Sequence, residues 1–129
     1  MSYLDPSICT RLQAGRRNRM MRIAMNEVYK ELQQSLEAGV PVVLATVAAT
    51  RGSTPRQEGA NMLIKADGSF CGTIGGGCGE AEVWQEAMQT MEDGRPRLVT
   101  VDLTSPIDGE DKICGGIMEI FVERITSQA

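Results

Sequence analysis

The order of apolar patterns along the chain predicts a single domain of the α/β or α+β class. It should hold a mixed β-sheet of about five strands and two main helices, in the order α-β-β-β-α-β-β. Three observations carry this prediction. A helical spacing precedes a β-branched apolar run, two further apolar runs flank an Asp-Gly pair, and a second helical spacing follows a glycine run and leads into two more strands. The length of 129 residues suits one domain with a core of its own.

Met25, Val28, Tyr29, Leu32 and Leu36 recur at three- and four-residue spacings with charged residues between them, and Gly39 and Pro41 supply a stop. The spacing predicts a helix over 26–38. "VVLATVAAT", residues 42–50, is nearly continuous in apolar character, as in a central strand covered on both faces. "RGSTPRQEG", residues 51–59, is a loop by its Gly, Ser, Pro and charged content. "ANMLIKADGSFCGTI", residues 60–74, reads as two strands joined at Asp67-Gly68, the signature of a tight two-residue hairpin. Helical spacing resumes at Ala81, Trp84, Met88 and Met91 and ends at Gly94 and Pro96, predicting a helix over 78–92. Strands follow at 98–103 and 117–123, the second alternating Met118, Ile120 and Val122 inward against Glu119 and Glu123.

The formal charge of -4 conceals an asymmetry. Residues 1–24 carry five arginines against Asp5, leaving 8 basic and 16 acidic residues beyond them. An acidic body lacks the positive face that phosphate neutralisation requires, which argues against nucleic acid as a partner and leaves only the basic leader able to touch an anionic one. The Arg-rich segment 1–24 has no sustained apolar periodicity and is expected to be a flexible leader, with the folded domain at 25–129. No apolar run is long enough to span a bilayer and the first twenty residues lack the apolar core of a signal peptide, so no membrane association and a cytoplasmic location are expected.

Three loops hold the residues suited to chemistry. The run Gly75, Gly76, Gly77 has two readings, a sharp turn from strand to helix or a backbone that lets amides approach an anion at the positive helix end. Cys78 follows it. A thiol at a helix start ionises more readily, whereas Glu80 and Glu82 in the first turn oppose that charge. The second loop sets Cys114 against Gly115 and Gly116 before the last strand. The third offers the Ser53 and Thr54 hydroxyls with the Arg51 and Arg56 guanidiniums, groups that bind phosphate or carboxylate. The chain has no histidine, which rules out a Ser-His triad within it and disfavours a structural zinc site built on the four cysteines. Asp102, Asp108, Glu110 and Asp111 lack calcium-loop spacing, so no metal site is assigned. Cys71, beside Phe70 in a strand, reads as core packing, and Cys9 falls in the leader.

Taken together, "GSTPRQEGANMLI", "GTIGGGCGE" and "ICGGIMEIFVE" resemble, in this order and spacing, the XdhC/CoxI family of accessory proteins for xanthine dehydrogenase and related molybdenum hydroxylases. The similarity covers Met25 to Ile125. Family members commonly continue into a C-terminal Rossmann-like domain, which is expected to be absent here, and a hydrophobic side chain more often stands where this chain has Gly79.

The resemblance implies a maturation factor that binds molybdenum cofactor (molybdopterin) transiently, protects it during sulfuration and helps insert it into a hydroxylase client. On it, Cys78 and Cys114 match the family's motif cysteines, and Ser53, Pro55 and Arg56 match its first loop. The cofactor-binding set is then Ser53, Arg56, Gly75, Gly76, Gly77, Cys78, Cys114 and Gly115, with Cys78 and Cys114 the reactive pair. The resemblance favours a cofactor-binding chaperone over an enzyme with turnover and leaves enzyme status undecided. The partners implied are the hydroxylase, a cysteine desulfurase, a separate Rossmann-domain subunit and a second copy of the chain. Two other functions stay open. One is a sulfur-transfer enzyme carrying persulfide on Cys78; the other is an interaction half-module that docks a Rossmann-domain partner and binds no cofactor itself.

Overall fold

The computed structural model describes residues 17–75, 79–104 and 115–127, with side chains from residue 27 onward. Its elements follow the predicted order: α1 (Arg17–Glu37), β1 (Val42–Arg51), β2 (Asn61–Lys65), β3 (Phe70–Gly72), α2 (Glu80–Asp93), β4 (Arg97–Asp102) and β5 (Ile117–Ile125). The helix α1 begins nine residues before the predicted start, so residues 17–24, assigned to the leader, are helical in backbone. No Gly or Pro interrupts the chain from Arg17 to Ala38, so nothing in the backbone stops the helix from extending through the Arg-rich stretch. The helix ends as Gly39 and Pro41 predict. The Val40 N–H reaches Ser35 O at 2.9 Å and the Gly39 N–H reaches Leu36 O at 3.1 Å, a Schellman motif with Gly39 left-handed.

The strands form one sheet in the order β3-β2-β1-β5-β4. The run 42–50 is its central strand, as its composition requires. All four ladders are antiparallel, so the mixed pairing expected from the crossover is absent among the described residues. The reason lies in where the crossover lands. The segment through α2 carries the chain from β3 at one edge to β4 at the other, and these two strands run in the same direction with three strands between them. They never pair.

Alternation along the strands sorts the core into two layers. Val43, Ala45, Val47, Met62, Ile64, Met118, Ile120 and Val122 meet Val83 and Ala87 of α2, with Trp84, Met88 and Met91 packed on their margin. On the other face Val42 and Leu63 meet Val28 of α1, with Leu32, Leu44, Cys71 and Ile125 alongside. The predicted inward set of β5 is fully buried. Cys71 is half-buried, its thiol pushed above the ordinary range by burial and by the Glu31 and Glu27 carboxylates. Because α1 lies over β2 and β3, the same face of β4 and β5 leaves Leu98 and Phe121, paired across the ladder, 59% and 38% exposed.

The hairpin at Asp67-Gly68 is present with a longer turn than predicted. The Lys65 N–H bonds Ser69 O at 2.8 Å and the Gly68 N–H bonds Lys65 O at 2.9 Å, enclosing Ala66, Asp67 and Gly68 in a three-residue loop. Asp67 Oδ1 accepts from the Ser69 N–H and hydroxyl, which favours this wider turn over a two-residue one.

Candidate functional site

β1 leaves its ladder with β2 at Val47. The Val47 N–H bonds Ala60 O at 2.8 Å, the Gly59 N–H bonds Val47 O at 2.9 Å, and a register shift against β5 falls between Val47 and Ala49. The intervening loop is clamped by Glu58, whose Oε1 accepts from the Thr50 hydroxyl at 2.7 Å and the Thr50 N–H at 3.2 Å. Those hydrogen bonds hold the Glu58 carboxyl below its usual range. Within the loop the Thr54 hydroxyl donates to Arg56 O at 2.9 Å. Ser53 is exposed and Arg56 half-buried. Neither Arg51 nor Arg56 has an ion pair with a described residue.

This loop sits against the glycines before β5. A Cβ on Gly116 would fall 2.3 Å from Ser53 O and 2.6 Å from Arg51 O, both backbone atoms, so only glycine lets the two loops approach this closely. Gly115 differs: among the described residues no atom beyond its chain neighbours lies within 4 Å of its would-be Cβ, and it is exposed. Gly116 is a packing glycine, while Gly115 is exposed with its N–H committed to Leu103 O.

The third loop reaches the same end of the sheet. A Cβ on Gly79 would meet Val101 Cγ1 at 2.4 Å. Two residues further along, the Leu103 N–H bonds Gly116 O at 2.8 Å and the Gly115 N–H bonds Leu103 O at 3.0 Å. Val101 and Leu103 are roughly 7 Å apart along an extended chain. Gly79 and Gly115, the chain neighbours of Cys78 and Cys114, are therefore tied to one short stretch of backbone. Cys78, Cys114, Gly76 and Gly77 themselves lie outside the described residues.

Gly75 stands apart from the rest of the predicted set. It is buried, and its N–H goes to the Thr73 hydroxyl at 3.2 Å. The first turn of α2 carries Glu80 and Glu82, which meet the positive end of the helix with their own charge. Of the loops at this end of the sheet, the one after β1 carries the arginines, Arg51 and Arg56, whereas the first turn of α2 is acidic. Among the described residues no cluster of three or more His, Cys, Asp or Glu is arranged to hold a metal ion, and no helix is long and apolar enough to cross a membrane.

One feature was not legible as a site in the sequence. A cleft of about 450 Å³ lies between α2 and the β2–β3 hairpin, lined by Met62, Gly68, Phe70, Glu80, Ala81 and Trp84. Helical spacing marks Trp84 as a core residue. It is in fact half-buried, and its indole N–H donates to Gly68 O at 2.9 Å. A polar tip on a single tryptophan is the signal that could have found it.

Comparison with known proteins places this architecture. The model of the XdhC and CoxI family matches residues 35–102. The Escherichia coli protein YqeB is 38% identical over 98 residues, 74% of this chain and 18% of its own length. The molybdenum cofactor insertion chaperone PaoD of Escherichia coli is 34% identical over 94 residues, 73% of this chain and 30% of its own. A crystal structure titled as a xanthine dehydrogenase from Bacillus halodurans superposes with a TM-score of 0.62 at 34% identity, covering 73% of this chain and 29% of that one. The chain belongs to the XdhC and CoxI family. It spans less than a third of the length of each of these relatives.

Proposed function

We propose that this domain receives molybdenum cofactor as cargo, holds it during sulfuration and hands it to a xanthine dehydrogenase-type hydroxylase. Family membership and the similarity to an insertion chaperone support the accessory role. The observation that carries the reading is the meeting of three motif loops at one end of the sheet, where the loop that carries two arginines without ion-pair partners among the described residues packs its backbone against Gly115 and Gly116. Such an end fits a ligand with a phosphate and a soft metal. Ser53 and Arg56 would hold the phosphate, Gly115, whose N–H is taken by Leu103 O, would line its approach without donating, and the Cys78 and Cys114 thiolates would face the metal and its sulfur. Cofactor exchange, rather than turnover, is then the activity, with a cysteine desulfurase as the sulfur source. The exposed Leu98–Phe121 pair supports a further contact, with a Rossmann-domain subunit or a second copy.

The test is purification from cells that make the cofactor, followed by molybdenum and pterin analysis. Stoichiometric cofactor on the chain supports the reading. Cofactor absent from the chain alone but present when a Rossmann-domain partner is co-expressed would support the interaction half-module, and persulfide trapped on Cys78 would support the sulfur-transfer enzyme.

A further inference from the structure

We infer that the cleft between α2 and the β2–β3 hairpin binds a planar nitrogen heterocycle, whose N–H edge meets the Glu80 carboxylate while its faces meet Phe70 and Trp84. In choosing a pterin as the heterocycle, the inference rests on the cofactor-binding reading above.

The cleft's volume, about 450 Å³, falls within the range of small-molecule sites. Its walls are apolar and aromatic. Phe70 is 54% exposed, an arrangement that leaves a large ring in water until something covers it. Met62 closes the floor from the sheet and is buried. Trp84 is fixed before any ligand arrives. Its N–H is committed to Gly68 O, and the hairpin backbone presses on its ring closely enough that a Cβ on Gly68 would lie 3.3 Å from Cζ2. A ring held in this way loses little freedom on binding.

Glu80 supplies the polar end. Its Oε2 accepts from the Thr73 hydroxyl at 3.0 Å, which orients the carboxylate at the mouth of α2. An ionised carboxylate only accepts, so it selects ligands that present N–H donors and repels phosphates and carboxylates. A pterin carries a 2-amino group and an adjacent ring N–H on one edge, a pair of donors matched to a carboxylate. Glu80 follows Gly79 directly, so a ring in this cleft lies beside the loop that carries Cys78.

The probe is pterin itself (2-amino-4-oxopteridine), titrated against the full chain and followed by calorimetry and by tryptophan fluorescence, since Trp84 is the chain's one tryptophan. Saturable binding is expected, weakened roughly tenfold or more in both Phe70→Ala and Glu80→Gln. Lumazine, which has an oxygen in place of the 2-amino group, should bind about tenfold more weakly than pterin to the native chain and show no preference in Glu80→Gln. Equal affinity for the two ligands, or pterin binding indifferent to both substitutions, overturns the inference. So does co-purification of intact cofactor with Phe70→Ala and Glu80→Gln at native stoichiometry, a result that leaves the chaperone reading standing. Selective pterin binding by a chain that retains no cofactor supports the cleft and overturns the chaperone reading instead.

Discussion

The indole N–H of Trp84 donates to the carbonyl oxygen of Gly68 at 2.9 Å, bridging sixteen residues and fastening the hairpin turn to α2. Without it, the edge strand β3, three residues long, would be held by its short ladder to β2 and by packing against α1. Trp84→Phe keeps a ring but loses the donor, leaving a half-buried carbonyl to water. The expected cost is about 1 kcal/mol, a fall of roughly 4 °C in melting temperature. Hydrogen exchange should show the loss concentrated in residues 65–72.

Gly115 and Gly116 are adjacent and should respond differently to the same substitution. Gly116→Ala drives a methyl against two backbone carbonyls that cannot rotate away, and should cost about 2 kcal/mol or more. Gly115→Ala meets no atom among the described residues and carries the strain of φ +84°, about 1 kcal/mol. Thermal unfolding of the two variants checks the order. Retention of cofactor should fall in Gly116→Ala, because displacing Ser53 O moves the loop that carries Arg56.

The cysteines should separate by role. Cys78→Ser and Cys114→Ser are expected to leave the melting temperature within a few degrees and to reduce cofactor retention sharply, measured as molybdenum per chain. Cys71→Ser should do the reverse, lowering stability with cofactor retained, because Cys71 packs beside Val28, Val42 and Leu63. Its raised thiol pKa also predicts slow alkylation by iodoacetamide at neutral pH, with Cys78 labelled first.

Acid should act first on carboxylates held by hydrogen bonds. Asp93 receives a two-pronged contact from Arg97, Nη2 to Oδ2 at 2.6 Å and Nη1 to Oδ1 at 3.0 Å, and accepts from the Arg95 N–H at 2.9 Å. These hold its carboxyl well below the usual range. A carboxyl with a depressed folded pKa contributes stability that is present above the unfolded value, about 3.9, and is lost as pH falls toward the folded one. Melting temperature should therefore decline below about pH 5, and Asp93→Asn should flatten that decline. High salt should shrink the difference between native and variant, since the pair is exposed.

Much of the fold was legible because it is written in local patterns. The alternation of Met118, Ile120 and Val122 gave β5 its buried face, the continuous run from Val42 marked the central strand, and Gly39 and Gly94 marked both helix ends. Even Gly94 has a tertiary partner, however. Arg124, far along the chain, reaches Met91 O at 3.0 Å and closes the last turn of α2. The start of α1 differs from the expectation for another reason: Arg17, Arg19 and Arg22 interleave with Met20, Met21 and Ile23 there, so the charge of these turns read as a leader although the backbone is helical.

The site divides along the same line. The sequence by itself determined which residue types sit in the glycine-flanked loops. Only the tertiary structure decided that the loop after β1 packs on Gly116, that Gly79 abuts Val101, and that Gly75 gives its amide to Thr73. It also decided that the crossover through α2 carries β4 to the far edge, which turned an expected mixed sheet into four antiparallel ladders. The physical reason is range. Periodicity and turn chemistry are set by neighbours within a few residues, whereas strand order, close backbone approach and the orientation of Trp84 come from contacts between residues distant along the chain.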